Sequence, residues 1–362
     1  MPTHVERQRL LHGATLMSNP RAQSARYFLG TLNNVVAITS PFERTALMQI
    51  AEGRDPIAAL PLEARGEIQL FLERLRAHGF LISAQPVHTP ERYLPAAHAA
   101  DLAAQQLQER IEIELTQVDW ISGGESAEIL AARGDVPLLF SGRGRVISLL
   151  YSILLASGVT RLRFADRFQR PTVEGSDSGF GAITANDLGL HYYETLEKER
   201  RSLSLFPIKR GAEIARESDA PVVVIHYGEC DPELLWEWSN RKVPHLLIQP
   251  PVGDEIVIGP LVIPGSTPCL RCFSLYEIDH FGFTRSERLG LTSVEELPAA
   301  IAHYCAAIVA SQILHFIDSR VSKERVMERN TGIGEATYIN FQRLTEPQVV
   351  ALARHPLCGC DR

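Results

Sequence analysis

Four of the six cysteines in this chain stand in two close pairs, Cys269-Leu270-Arg271-Cys272 and Cys358-Gly359-Cys360. Two thiolates with two residues between them on a turn can face one tetrahedral Zn²⁺, and a second pair closes a four-sulfur site. Pro268 and Gly359 suit the tight backbone such knuckles need. Four unrelated thiols are one alternative. A redox Cys-x-x-Cys is another; it would follow a strand, open a helix and need no second pair. The two pairs together favour zinc. A closed four-thiolate site leaves no open coordination position, so the expected metal is structural, and it fastens the last residues to the rest of the chain. Cys305 lies in a strongly apolar helix and reads as an ordinary buried thiol. Cys230 precedes Asp231 at a strand-to-helix turn, where no base for a nucleophile is identifiable.

A second chemical stretch is Ser141-Gly142-Arg143-Gly144-Arg145. It sits in a strand, glycine turn, helix, strand order that ends on Asp166. Gly142 and Gly144 permit a tight turn and close approach of a phosphate to a helix N-terminus, and Asp166 stands where a ribose hydroxyl would be held. The third fingerprint position is Ile147, neither Gly nor Ala. Two glycines at such a turn are weak evidence for a nucleotide, so a retained structural turn is favoured and ATP is unlikely.

These residues need elements to hold them. From about residue 121 the pattern alternates: VPLLFSG, RLRFAD, APVVVIHY and VPHLLIQPPV read as strands, while RVISLLYSILLAS and DPELLWEWSNRK read as helices. That alternation predicts a doubly wound, mainly parallel α/β sheet domain over 121–362. Residues 91–120 are rich in Ala, Gln and Glu and predict a connecting helix. Residues 1–90 predict a winged-helix-like α+β domain. Short β-prone runs come first; Ser40-Pro41 then starts a helix, Ile68, Phe71, Leu72 and Leu75 share a helix face ended by Gly79, and FLIS returns as a strand.

At 45% hydrophobic and 22% charged residues the composition is that of a globular protein. A net charge of −7, and nine Arg against seven acids with no Lys in the first 90 residues, argue against a nucleic-acid partner. The apolar runs fall short of the roughly 20 residues of a membrane helix. The first residues carry no apolar signal core, so the expected compartment is the cytoplasm, with no membrane partner.

The run from PLLFSGRGR through GVTRLRFAD, then NDLG, YGECDPELL, VPHLLIQ, IGPLVIPGSTPCLRC and HPLCGC, resembles the ubiquitin-activating-type (ThiF-like) adenylating fold. Its divergent branch in thiazole/oxazole-modified microcin (bacteriocin) clusters is the nearest likeness, and residues 1–90 are similar to the peptide-recognition element of ribosomal-peptide (RiPP) modification enzymes. The resemblance implies a protein that binds the leader of a precursor peptide and presents it to a separate YcaO-type, ATP-dependent cyclodehydratase. It makes Cys269, Cys272, Cys358 and Cys360 the zinc ligands, and Gly142, Gly144, Asp166 and Asp231 match positions that hold ATP and magnesium in active relatives. Those relatives carry Arg or Lys just after an Asp-hydrophobic-Gly turn. Here Asp187-Leu188-Gly189 is followed by Leu190 and His191, and Lys198, Arg200 and Arg201 read as a solvated helix face. Without fixed positive charge, adenylyl transfer loses its main stabilisation, so a non-catalytic role is expected. The alternative is an ATP-dependent adenylyltransferase acting on a peptide.

An open sheet edge can accept an extended leader as an added strand. The expected groove is lined by Asn34, Val35, Val36, Ala37, Ile38, Phe71 and Arg74; the apolar members equally suit a core. A homodimer is open, since the apolar helix around Ile301–Ile317 suits either core or interface.

Overall fold

The computed structural model describes residues 8–11, 14–18, 27–30, 34–58, 60–83, 100–122, 126–165, 171–206, 222–229, 231–284, 296–321 and 332–360. They form two compact units, one holding the described residues up to Ala131 and the other those from Ala132 on.

The first unit contains strands β1 (Gln8–Leu10), β2 (Thr15–Ser18), β3 (Tyr27–Gly30) and β4 (Val35–Ile38), helices α1 (Pro41–Ala51) and α2 (Arg65–Ala77), strand β5 (Leu81–Ser83) and helix α3 (Ala100–Ser122). Strands β2, β3 and β4 form an antiparallel meander with β2 and β4 at its edges. β5 returns to pair with β1 rather than with that sheet. α1 starts at a capping box: the Ser40 side chain accepts the Glu43 N–H, and the Glu43 carboxylate accepts the Thr39 and Ser40 N–H groups. Ile68, Phe71, Leu72 and Leu75 of α2 are buried with Val36 and Ile38 of β4, which is the helical spacing seen in the sequence.

α4 (Ser126–Arg133) leads into the second unit. There, strands β6 (Pro137–Ser141), β7 (Arg161–Phe164), β8 (Val223–Tyr227), β9 (His245–Ile248), β10 (Glu255–Val262), β11 (Glu335–Asn340) and β12 (Gln348–Ala351) form one sheet in the order β12-β11-β10-β9-β8-β6-β7. β7, β6, β8 and β9 are mutually parallel. β9, β10, β11 and β12 pair antiparallel, so the sheet is mixed rather than mainly parallel. The physical reason is connection length: residues 249–254 are too few for a crossover, and a turn with Val252 bridged to Glu255 reverses the chain.

The helices are α5 (Arg145–Ala156), α6 (Tyr192–Leu203), α7 (Pro232–Asn240), α8 (Leu270–Phe281) and α9 (Ala299–Val321). Leu138 and Phe140 of β6 and Val223 and Ile225 of β8 pack with α5, α6 and α9 on one face. Leu139 and Val224 point the other way, towards Trp238 of α7. Both faces are covered, which is why these strands read as continuous apolar runs. Among the described residues α9 is the one helix long and apolar enough to cross a membrane. Its Ile301, Val309, Ile313 and Ile317 are core residues here.

Candidate functional site

The cysteines come together at the end of the sheet formed by β10 to β12. Thr267 Oγ1 accepts the Ile263 N–H at 2.9 Å and shapes the turn after β10. Cys269 then sits at the N-cap of α8, with Cys272 in its first turn. The first pair therefore does open a helix, as a redox pair would; the second pair beside it decides for a cluster. After β12, the Cys358 N–H bonds His355 O at 2.9 Å, and Gly359 takes φ +73°, the left-handed region that favours glycine. The four Sγ atoms lie within 4.8 Å of one another, with Cys269–Cys272 at 3.9 Å, Cys269–Cys358 at 3.3 Å and Cys272–Cys360 at 3.5 Å. Sulfurs on a tetrahedral zinc with 2.3 Å bonds are about 3.8 Å apart. No pair is near the roughly 2.05 Å of a disulfide. The donor set, spacing and chemistry fit a bound dication. Burial pushes the Cys272 thiol up, but the N–H groups of His355 and Cys269 together with the Cys358 and Cys360 thiols lower it to about 7. Burial raises Cys358 and Cys360. Neutral thiols crowded in this way are what a metal converts to thiolates. Cys305, fully buried in α9, is pushed up to about 12 by burial and is inert. Cys230 lies outside the described residues.

The glycine turn closes the gap between β6 and β8. Chain order reverses there, β7 lying beyond β6 on one side and β8 on the other, and in open α/β sheets that crevice is where ligands bind. Ser141 Oγ and His226 Nδ1, at 2.9 Å, join the two strand ends, and His226 Nε2 reaches Glu229 O at 2.9 Å. Gly142 and Gly144 take φ +85° and +124°, and a Cβ on Gly142 would collide with Tyr227 O. Gly144 is the N-cap of α5. Two adjacent tyrosines of α6 hold the turn. Tyr192 OH donates to Gly144 O at 2.7 Å and accepts the Gly144 N–H at 3.2 Å, while Tyr193 OH donates to Gly142 O at 3.3 Å. Ile147 is wholly buried, filling the space a third fingerprint glycine would leave between helix and strand.

Two arginines bracket Gly144. Arg143 bonds Glu174 Oε1 at 2.5 Å and Thr172 O at 3.3 Å. Arg145 bonds Ser176 O at 2.5 Å and Leu297 O at 2.7 Å, with its guanidinium 4.2 Å from the Phe180 ring centroid. The Arg145 backbone N–H donates to Glu296 Oε2 at 3.3 Å. Burial pushes the Glu296 carboxyl up to about 7, opposed by that N–H and helped by the Asp177 charge. Burial also raises Asp177, opposed by the Glu174 N–H and by Arg143. Asp177 Oδ1 is buried with no hydrogen-bond partner among the described residues. The start of α5 thus has two arginines beside it, each already bonded to protein groups: Arg143 to Glu174, Asp177 and Thr172 O, Arg145 to Ser176 O and Leu297 O.

Sequence reasoning named the two glycines but not Arg143, Arg145, Tyr192, Tyr193, Asp177 or Glu296. The arginines were visible in Ser141–Arg145. Glu296 carried no signal, being 151 residues from Arg145. Asp166 lies outside the described residues. Asp231 is the exposed N-cap of α7, its Oδ1 accepting the Glu233 N–H at 2.9 Å. Asp187 closes a turn by accepting the Thr184 N–H at 2.8 Å, and its carboxyl is held low mainly by the Thr184 hydroxyl. Of the three basic residues of α6, Lys198 and Arg201 are exposed. Arg200 is not solvated: it is buried against Thr160 O and Glu197.

In the first unit, Val36, Ile38 and Phe71 are core residues. Val35 is exposed and Ala37 half-buried on the outer face of β4. Asn34 exchanges hydrogen bonds with His78, and Arg74 pairs with Glu43 beside the Phe71 ring.

No protein-family model and no curated protein matches the chain. Solved structures do. E. coli MccB with AMPCPP and MccA matches at TM-score 0.67 and 14% identity, over 98% of this chain and 99% of that one. MccB with ATP matches at TM-score 0.64 and 14% identity, over 98% and 99%. The microcin C7 biosynthetic enzyme MccB with N-formylated MccA matches at TM-score 0.65 and 13% identity, again over 98% and 99%. These neighbours are an enzyme solved with ATP, which overturns two expectations: a non-catalytic presenter for a cyclodehydratase, and ATP as unlikely. Arg143 and Arg145 stand in the glycine turn itself, so a cation after Gly189 is not the one source of positive charge near it. At this identity the likeness speaks to the fold, and the chain has the ThiF-like fold of MccB.

Proposed function

We propose that this chain is an ATP-dependent adenylyltransferase acting on a peptide. The whole-length likeness to MccB, a biosynthetic enzyme solved with ATP and with N-formylated MccA, carries the reading. The strand-switch position of the glycine turn agrees with it. In adenylyl transfer a carboxylate or amide oxygen of the peptide attacks the α-phosphorus of ATP, a P–O bond forms, and the bond to pyrophosphate breaks. Gly142 and Gly144 let the phosphates approach α5. Arg143, Arg145 and the α5 amides stabilise the charge that builds on the phosphate oxygens. Asp166 is assigned to the ribose and Asp231 to the metal accompanying the nucleotide. The peptide is assigned to the open edge of β4, where Asn34, Val35, Ala37 and Arg74 present surface. Cys269, Cys272, Cys358 and Cys360 are assigned to structural zinc, which keeps the β12 tail on α8. Reduced thiolates and ATP both suit the cytoplasm.

The test is ATP–pyrophosphate exchange by the purified full chain, with and without precursor peptides encoded beside its gene, followed by mass spectrometry for an AMP adduct. Peptide-dependent exchange supports the reading. Tight peptide binding with no exchange and no adduct refutes it.

A further inference from the structure

We propose that the Glu296 carboxylate is an internal occupant of the nucleotide's phosphate position, so that ATP binds only by displacing it. This regulation of the site rests on the adenylyltransferase reading. Glu296 Oε2 accepts the Arg145 N–H at 3.3 Å, on the first turn of α5, where a phosphate oxygen would accept it. Its Oε1 lies so close to Gly144 that a Cβ there would collide with it. The absent Cβ of a turn glycine is what lets phosphate approach the backbone, and here a carboxylate uses that opening. The same arginine also donates from Nη1 to Leu297 O at 2.7 Å. Arg145 thus latches Glu296 and Leu297 onto the start of α5, just ahead of α9.

Two features make the occupant displaceable. It is remote in sequence and enters beside a glycine N-cap that supplies no acceptor of its own, so the Arg145 N–H takes its acceptor from outside the turn and can exchange one anion for another. It also shares its surroundings with Asp177, a buried carboxylate with an unpartnered Oδ1, and the Asp177 charge raises the Glu296 carboxyl beside Arg143 and Arg145. A triphosphate arriving with its metal offers more charge-assisted bonds to Arg143, Arg145 and the α5 amides than one carboxylate can. The device gives the Arg145 N–H and its Nη1 group partners while no nucleotide is present.

The experiment is calorimetric titration of ATP with Mg²⁺ into the full chain at pH 8, comparing wild type with Glu296→Gln and Glu296→Ala. The isosteric Gln variant serves if the Ala variant fails to fold. The expected result is about tenfold or greater tightening in both, the size of one charge-assisted hydrogen bond. Equal or weaker ATP binding by the variants, with wild type binding, overturns the inference and leaves the adenylyltransferase reading standing. Absence of ATP binding in wild type and variants alike removes both.

Discussion

Replacing Tyr192 by Phe deletes one hydroxyl at the point where the glycine turn is held. That hydroxyl makes two bonds, one to each polar group of Gly144. The two losses differ. Gly144 O keeps a second partner, the Ser148 N–H at 3.1 Å, so it loses a neutral bond of roughly 1 kcal/mol. The Gly144 N–H, in a buried residue, is left without an acceptor, at about 1–3 kcal/mol. The Phe ring fills the same volume, so no cavity adds to the sum, and the expected loss is about 2–4 kcal/mol. Tyr193→Phe removes a 3.3 Å contact to Gly142 O and should cost no more than about 1 kcal/mol. Equilibrium urea unfolding followed by tryptophan fluorescence measures both, since Trp238 is buried against β8 of the same unit. The m-value should stay constant. Equal losses in the two variants, or less than about 1 kcal/mol for Tyr192→Phe, would refute the claim that Tyr192 is the clamp of the turn.

Cys360→Ser should lower zinc from about one ion per chain to near none by elemental analysis, and hasten amide exchange in β12; unchanged zinc content removes the metal assignment. Arg133 and Asp318 are each 1% exposed and joined by bonds of 2.8 and 2.6 Å. Asp318→Ala strands the guanidinium and should cost about 3–5 kcal/mol in urea unfolding, most of it recovered by adding Arg133→Met. The Glu296 carboxyl is raised to about 7 from 4.5. Its contribution to stability is therefore fully present below pH 4.5 and lost as pH rises through 7, and Glu296→Gln should flatten that slope in a thermal scan series. The groups facing it are Arg145 of α5, Arg143 of the turn, Asp177 and Tyr192 of α6. Since its charge forms as pH rises past about 7, the advantage of Glu296→Gln in ATP affinity should be larger at pH 8 than at pH 6. An identical ratio at both pH values would contradict the assignment, the ionisation of ATP being common to both proteins.

Much of the fold was legible because local signals agreed with the global arrangement. Ser40-Pro41 with Glu43 announced α1, and Ile68, Phe71, Leu72 and Leu75 announced the buried face of α2. The apolar runs at β6, β8 and β9 announced strands covered on both sides. What escaped was pairing. Nothing in FLIS says that it joins β1 rather than the β2–β4 meander. The antiparallel half of the large sheet follows from the short β9–β10 connection, and alternation alone suggested a parallel sheet. Cys-x-x-C with Cys-x-Cys made the cysteine cluster readable because ligand spacing is local within each pair, whereas the Arg145–Glu296 contact is wholly tertiary.

The site shows how a motif can mislead when its parts are judged by position rather than by charge. The nucleotide reading was set aside because Ile147 replaces a glycine and because no cation follows Asp187-Leu188-Gly189. Ile147 is spent on packing inside α5, where it changes the helix–strand fit and not the face turned to a ligand. The missing cation bears on the proposed phosphate site only if no other cation stands near it, and Arg143 and Arg145 flank Gly144 at the start of α5, each bonded to protein groups that a phosphate would have to compete with. The deciding question is the field at the helix start. The Arg145 N–H does bond an internal carboxylate there, but burial and the Asp177 charge raise that carboxyl to about 7, so the helix start and its surroundings act on the anion in opposite directions.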